Sequence, residues 1–275
     1  MDANFELAAD ALVNGDLATL TQLIRQSPEI VRTRSGRPHH ATLLHYIAAN
    51  GVEDERQKSP QNAVEMARLL LTAGAEPDAL ATMYGGEQTT MNMLVSSAPP
   101  AQAGVQEALV ETLLDFGAAI EGKGSGASPL IAALAHGHRS AAETLARRGA
   151  DTDNLAAAAG LGRLSAVTHL LPISTSEGRH RALALAAQHG HLEIVRLLLD
   201  AGEDPNRYNP PGFHGHSTPL HQAVIYGHHD VVRLLLERHA RLDIQDTVYH
   251  GTPLGWAKHA GHTAIEEYLV LCEHS

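Results

Sequence analysis

The sequence is short of aromatic side chains, of cysteine and of basic charge, and each shortage removes a class of protein. Phenylalanine, tryptophan and tyrosine together make up 4% of its 275 residues. That is thin for a globular enzyme of this length but normal where small helical units pack through alanine and leucine. The single cysteine, Cys272, excludes an internal disulfide framework and suits a reducing compartment. Against 31 Asp and Glu stand only 20 Lys and Arg, a net charge of −11 with no long basic run. Such a surface repels a phosphate backbone, so nucleic acid is not an expected partner. No uninterrupted apolar run approaches the ~20 residues that span a membrane. The N-terminal MDANFELAAD has neither the positive region nor the apolar core of a signal peptide. These absences predict a soluble, cytoplasmic protein without membrane contact.

What the sequence does have is self-similarity. RALALAAQHGHLEIVRLLLD (181–200) and TPLHQAVIYGHHDVVRLLLE (218–237) match almost position for position. TPLGWAKHAGHTAIEEYLV (252–270) and SPLIAALAHGHRSAAETLARRGAD (128–151) carry the same frame. Weaker copies are TLLHYIAANG, TTMNMLVSSA, NLAAAAGLGRLSAVTHLL and ALVNGDLATLTQLI. About eight units of variable length predict a solenoid of stacked repeats.

The frame resembles the ankyrin-repeat family. The T-P-L-H-x-A core stands at Thr218–Ala223 and, degraded, at Thr42–Ile47 and Thr252–Ala257. Gly190–His191 with Val195–Leu199, and Gly227–His228 with Val232–Leu236, continue the pattern, and AGAEPDA, FGAAIEG, RGADTDN and AGEDPNR are similar to the family's finger signal. A looser resemblance, carried by HYIAANGVEDERQKSP and MYGGEQTT, is to a bacterial subgroup of that family. The resemblance implies an all-α ankyrin-repeat solenoid of about eight helix-turn-helix units with finger loops. One domain over 1–275 is expected, with an N-terminal capping repeat (1–39), internal repeats (40–249) and a C-terminal capping repeat (250–275). The residues fit it. Small side chains such as Ala186 and Ala187 let first helices approach, and the V-x-L-L-L helices are amphipathic. Pro219 and Pro253 suit a first helical turn, where a missing N–H costs nothing, and Gly190, Gly227 and Gly261 suit a left-handed helix end.

The chain holds 19 histidines, and most occupy fixed places in the frame. His221 is placed to bond the backbone of a neighbouring finger, and His138, His191, His228 and His262, each after a helix-ending glycine, to cap orphan carbonyls. A scaffold role therefore explains them. In FHGHS, His214 and His216 are spaced to share one side of a strand, and a third ligand such as His250 would complete a zinc site. The chain lacks any standard ligand spacing, so no metal and no cofactor is expected. GKGSGAS lacks Walker spacing and reads as a finger. GLGRLS is a helix end, and Cys272 with His274 lacks an orienting third group.

Departures from the frame are where function is expected. Two inserts, VEDERQKSPQNA (52–63) and APPAQAG (98–104), interrupt consecutive repeats and are expected to pack together, with Glu53 and Arg56 on their surface. Tyr84 in MYGGEQTT and Trp256, the sole tryptophan, stand out among so few aromatics, Trp256 as an end cap of the core. Short fingers in repeats five and six beside the long finger 201–217 predict an uneven groove. The leading expectation is a monomeric, non-catalytic protein-interaction module, its partner another protein. The resemblance implies contacts on a concave face at Asn50, Tyr84, Gln88, Gln188, His189, His214, Ser217, Tyr226, Tyr249 and His259. The alternative is a small-molecule pocket or enzyme in that groove, with His189, His214 and His259 as acid–base groups.

Overall fold

A computed structural model describes residues 3–124 and 128–273. The chain gathers into two compact units, 1–151 and 152–275. In the first, α1 (Ala3–Val13) pairs with α2 (Leu17–Gln26), and α3 (Leu43–Ile47) with α4 (Ala63–Thr72). Beyond a two-stranded hairpin, β1 (Leu80–Met83) and β2 (Gly86–Thr89), come α5 (Thr90–Val95) and the short α6 (Ala98–Gln102). Then α5 pairs with α7 (Gln106–Asp115), and α8 (Pro129–Ala135) with α9 (Arg139–Arg147). In the second unit the pairs are α10 (Leu155–Gly160) with α11 (Leu164–Leu170), and α12 (Ser176–Gln188) with α13 (Leu192–Asp200). They continue as α14 (Pro219–Ile225) with α15 (His229–Glu237), and α16 (Pro253–Ala260) with α17 (Thr263–Glu273).

Within each unit first helices pack on first helices (α1, α3, α5, α8; α10, α12, α14, α16), and second helices α4, α7 and α9, then α11, α13, α15 and α17, do the same. Alanine makes the first row possible. Ala158, Ala159, Ala182, Ala186, Ala187 and Ala223 are fully buried and bring the axes close. Leu198, Leu235 and Leu269 project into the same core from the second row, and each fully buried leucine contributes about 1.5–3 kcal/mol. Pro219 opens α14 and Pro253 opens α16, as expected. Among the described residues no helix is long and apolar enough to cross a membrane.

In the second unit histidine ties three successive repeats, those of α12, α14 and α16, each to the one before it. Gly190 ends α12 with φ 75°, and a Cβ there would lie 2.5 Å from the ring of His228. That ring sits on the glycine and donates through Nε2 to Gln188 O at 2.8 Å. The link recurs at His191, which donates to Gly160 O (3.0 Å), and at His262, which donates to Ile225 O (3.0 Å). Each thus satisfies an orphan carbonyl at the helix end of the preceding repeat. His138 occupies the corresponding place at the N-terminus of α9 but makes no such bond among the described residues. A second class reaches forward. His221 Nε2 donates to Gly251 O (3.1 Å) while its Nδ1 accepts from Thr218 N, and His45 is held in the same way between Thr42 and Gln88 O. A carbonyl can only accept, so these rings are held as neutral Nε2–H tautomers.

The two inserts touch, Gln61 Nε2 donating to Ala103 O at 3.3 Å. Arg56 departs from expectation. Its side chain is 8% exposed and Glu53 is 11% exposed, so neither offers the open surface foreseen for them. The reason lies in α1, whose Glu6 and Asp10 are one turn apart and present two carboxylates to one guanidinium, at 2.7 Å each. Tyr46 packs beneath it, 5.8 Å from ring centre to Cζ. The insert is therefore pinned to the first helix.

Two outcomes follow for stability. His228→Ala, which removes the bond to Gln188 O, is expected to lower the unfolding free energy by about 0.5–2 kcal/mol, and urea denaturation measures it; an unchanged midpoint would remove this histidine from the scaffold. Burial pushes His45 down to about 4 and also lowers His221 and His228 from the ordinary 6.5. Below 6.5 the unfolded chain binds protons that the folded chain refuses. The stability these rings contribute is therefore complete above about pH 6.5 and falls as pH drops from there toward 4, and His45→Gln flattens that slope in a urea–pH series.

Candidate functional site

The long finger 201–217 is rich in proline and glycine yet is held at every turn. Glu203, buried, pairs with Arg179 at 2.9 Å, and His180 Nε2 donates to Tyr208 O at 2.8 Å. Asn209 N donates to Ser217 O (2.8 Å), closing the finger on itself, and His214 takes φ 59° at its bend. The next finger, 240–252, is bound to it through Thr247 N donating to His216 O (2.9 Å) and Tyr208 Oη to Gln245 O (2.7 Å).

Asp246 organises that second finger. The residue is 1% exposed, and its carboxylate accepts the backbone N–H groups of Val248 (2.9 Å), Tyr249 (2.6 Å) and Gly251 (2.8 Å). It also accepts Trp256 Nε1–H at 3.0 Å. Burial opposes its charge, but the four donors outweigh burial and hold the carboxyl well below the usual range. One anion thereby sets the position of Tyr249 on the finger and of Trp256 on α16.

Between the fingers and the exposed sides of α14 and α16 lies a groove of about 620 Å³. Tyr226, Tyr249 and Trp256 form its aromatic walls, and His214, Gln222 and His259 supply its polar edges. Ile225 and Gly255 complete the lining. Tyr226 Oη accepts from Gln188 Nε2 (3.3 Å), and burial pushes its phenol up. Gln222 Nε2 donates to Ser217 Oγ at 2.7 Å. His216 and His221 pack against Trp256, with ring centres at 5.9 and 5.0 Å.

Of the expected contact residues, His214, Tyr226, Tyr249 and His259 meet in this groove. Gln188 and Ser217 are buried behind it and orient Tyr226 and Gln222 instead of facing solvent. His189 stacks on His191 at 6.2 Å and lies outside the lining, so the three acid–base candidates are not assembled there. Asn50, Tyr84 and Gln88 belong to the first unit. Tyr84, 75% exposed at the hairpin turn, donates to Asn50 Oδ1 at 2.6 Å, and Asn50 Nδ2 donates to Met93 O at 3.2 Å. Gln88 O receives His45.

Trp256, read from sequence as an end cap, is half-buried; it packs on the core and lines the groove at once. Asp246 and Gln222 were missed. An Asp followed at two and three residues by its own N–H donors is an Asx-turn pattern, which D-T-V-Y contains. The rings of His214 and His216 are 6.0 Å apart, and among the described residues no group of three or more His, Cys, Asp or Glu is arranged to hold a metal ion. His274 and residues 125–127 of GKGSGAS lie outside the described residues.

Comparison with known proteins places this geometry in context. The family described as ankyrin repeats (3 copies) matches residues 154–246 and 183–275. Ankyrin repeat and SAM domain-containing protein 6 of Mus musculus is 36% identical over 107 residues, 39% of this chain and 12% of that protein. Protein fem-1 homolog A-like, also of Mus musculus, is 38% identical over 91 residues, 33% of this chain and 13% of that protein. Cyclin-dependent kinase inhibitor 2A of Monodelphis domestica is 30% identical over 121 residues, 42% of this chain and 68% of that protein. The chain thus spans a small part of the two mouse relatives and most of the opossum one.

Asp246→Ala strands buried donors that met an ionised acceptor, and a loss of about 2–4 kcal/mol is expected. Denaturant unfolding measures it, together with a red shift of tryptophan emission as the indole is released. A variant as stable as wild type, with unshifted emission, would show that Asp246 does not order the finger.

Proposed function

The chain belongs to the ankyrin-repeat family, and we propose that it is a non-catalytic interaction module whose second unit receives a segment of a partner protein in the groove between its fingers. Ankyrin repeats are generally protein-interaction modules, and the opossum relative is itself named as an inhibitor of a kinase. The observation that carries the reading is the concentration of aromatic surface. In a chain with one tryptophan and six tyrosines, Trp256, Tyr226 and Tyr249 line one groove. Tyr249 is 76% exposed and Tyr226 41% exposed, so core packing does not account for them. Large rings held at low ordering cost are the usual anchors of protein contacts.

The rigidity of the fingers supports the same reading, since a surface already ordered by Asp246, Glu203 and His180 loses little freedom on binding. An enzymatic reading needs an oriented acid–base set, and His189 lies apart from His214 and His259. On this proposal the protein works as a monomer in the cytoplasm, and Tyr84 with Asn50 offers a separate, smaller contact in the first unit.

Trp256 makes the groove self-reporting. Titration of a captured partner segment should change tryptophan emission saturably, and Tyr249→Ala and Tyr226→Ala should each weaken binding by about fivefold or more. Melting temperatures should barely move for Tyr249→Ala. The inserts provide the control, tested through the exposed Asp54 and Glu55 because Arg56 is buried. If Asp54→Lys with Glu55→Lys abolishes binding while both tyrosine variants keep it, the groove is the wrong surface. Retention of a metabolite in place of a protein, lost on Tyr249→Ala, would replace the module with a small-molecule pocket.

A further inference from the structure

We propose that the groove recognises an arginine side chain of the partner segment, held against the rings of Trp256, Tyr249 and Tyr226; this rests on the interaction reading above and specifies its ligand. No Asp, Glu, Lys or Arg is among the residues that line the groove. An anionic group entering it meets no fixed cation, and it enters a chain whose net charge is −11. A cation is drawn by that charge and meets ring faces that carry negative quadrupole density.

Trp256 is prepared for this role. Its Nε1–H donates at 3.0 Å to the carboxylate of Asp246, and an indole that donates to an anion gains electron density over its face. Asp246 itself is 1% exposed, so an incoming cation cannot reach it for a direct ion pair and its charge acts through the ring. His216 and His221 pack on Trp256 from within the second unit, at 5.9 and 5.0 Å. Tyr249 stands at the finger tip, positioned by its own N–H on the same carboxylate (2.6 Å). The single nearby cation on α16, Lys258, is exposed and outside the lining. Guanidinium suits such walls better than ammonium because it is flat, delocalised and weakly hydrated. Its N–H groups also find acceptors in the hydroxyls of Tyr226 and Tyr249.

The sole tryptophan yields one indole N–H resonance, which serves as the probe in 15N NMR of the full chain. Three N-acetylated, C-amidated pentapeptides are titrated, with arginine, citrulline or norleucine between glycines. The arginine peptide is expected to shift the indole resonance saturably and to bind about threefold or more tighter than the citrulline peptide, which has its shape without its charge. Tyr249→Leu, which keeps an apolar side chain on an exposed tip, is expected to erase that preference while leaving the protein folded. If citrulline or norleucine binds as well as arginine, the cationic assignment fails and the groove remains a peptide site. If no peptide moves the resonance, both the assignment and the groove reading fall.

Discussion

In the second unit the repeats of α12, α14 and α16 each depend on a histidine ring laid over a glycine of the repeat before it. The glycine is required twice, once for the left-handed turn that ends the helix and once because any Cβ would occupy the space of the ring. At Gly162 and Gly190 that Cβ would come within 2.6 and 2.5 Å of imidazole atoms. The ring in turn donates to a carbonyl that helix geometry leaves without a partner. Repeats that cannot bury their own apolar faces are thereby joined by a directional bond as well as by alanine packing, and register between neighbours follows from it.

That register is what allows fingers to be long without being loose. Because α12, α14 and α16 are held at fixed spacing, His180 can reach Tyr208 O and His221 can reach Gly251 O, each in the finger that follows its own helix. The fingers then bond each other through Thr247 and Tyr208. Asp246 completes the chain of constraint, exchanging the hydration of a carboxylate for four N–H donors. The groove's aromatic walls are the outer surface of this network. Their exposure is sustained by buried polar groups, Gln188, Ser217 and Asp246, that lie behind the lining.

The first unit solves the same problem differently. Its second repeat replaces the glycine–histidine link with an insert, and an ion-paired guanidinium does the fastening. Arg56 sits against Glu6 and Asp10, with Glu53 near by and Tyr46 beneath it. A buried cation with two carboxylates has little tolerance for loss of either partner. The insert is accordingly part of the unit's framework, and its exposed surface is confined to residues such as Asp54 and Glu55.

Helix pairs, their starts at Thr-Pro-Leu and their ends at glycine were legible in the sequence because each rests on local rules: periodicity, proline at a first turn, a residue tolerant of positive φ. The scaffold role of His191, His221, His228 and His262 was legible for the same reason, since these positions repeat in the frame, although His138 shares that place without making the bond among the described residues. The groove was legible only in part. His214, Tyr226, Tyr249 and His259 could be named from their places in the frame, but Gln188 and Ser217 share those places and are buried. Whether such a position faces solvent depends on the next finger, which is distant in sequence. Trp256 and Asp246 show the limit most clearly. Ten residues apart, one reads as a core cap and the other as a loop acid, and nothing local says that the acid is buried or that it holds the indole. The sequence by itself determined a stack of helical repeats, because that follows from interactions within three or four residues. Tertiary structure alone decided which aromatic faces stay open, because that depends on where buried donors find their acceptors across neighbouring repeats.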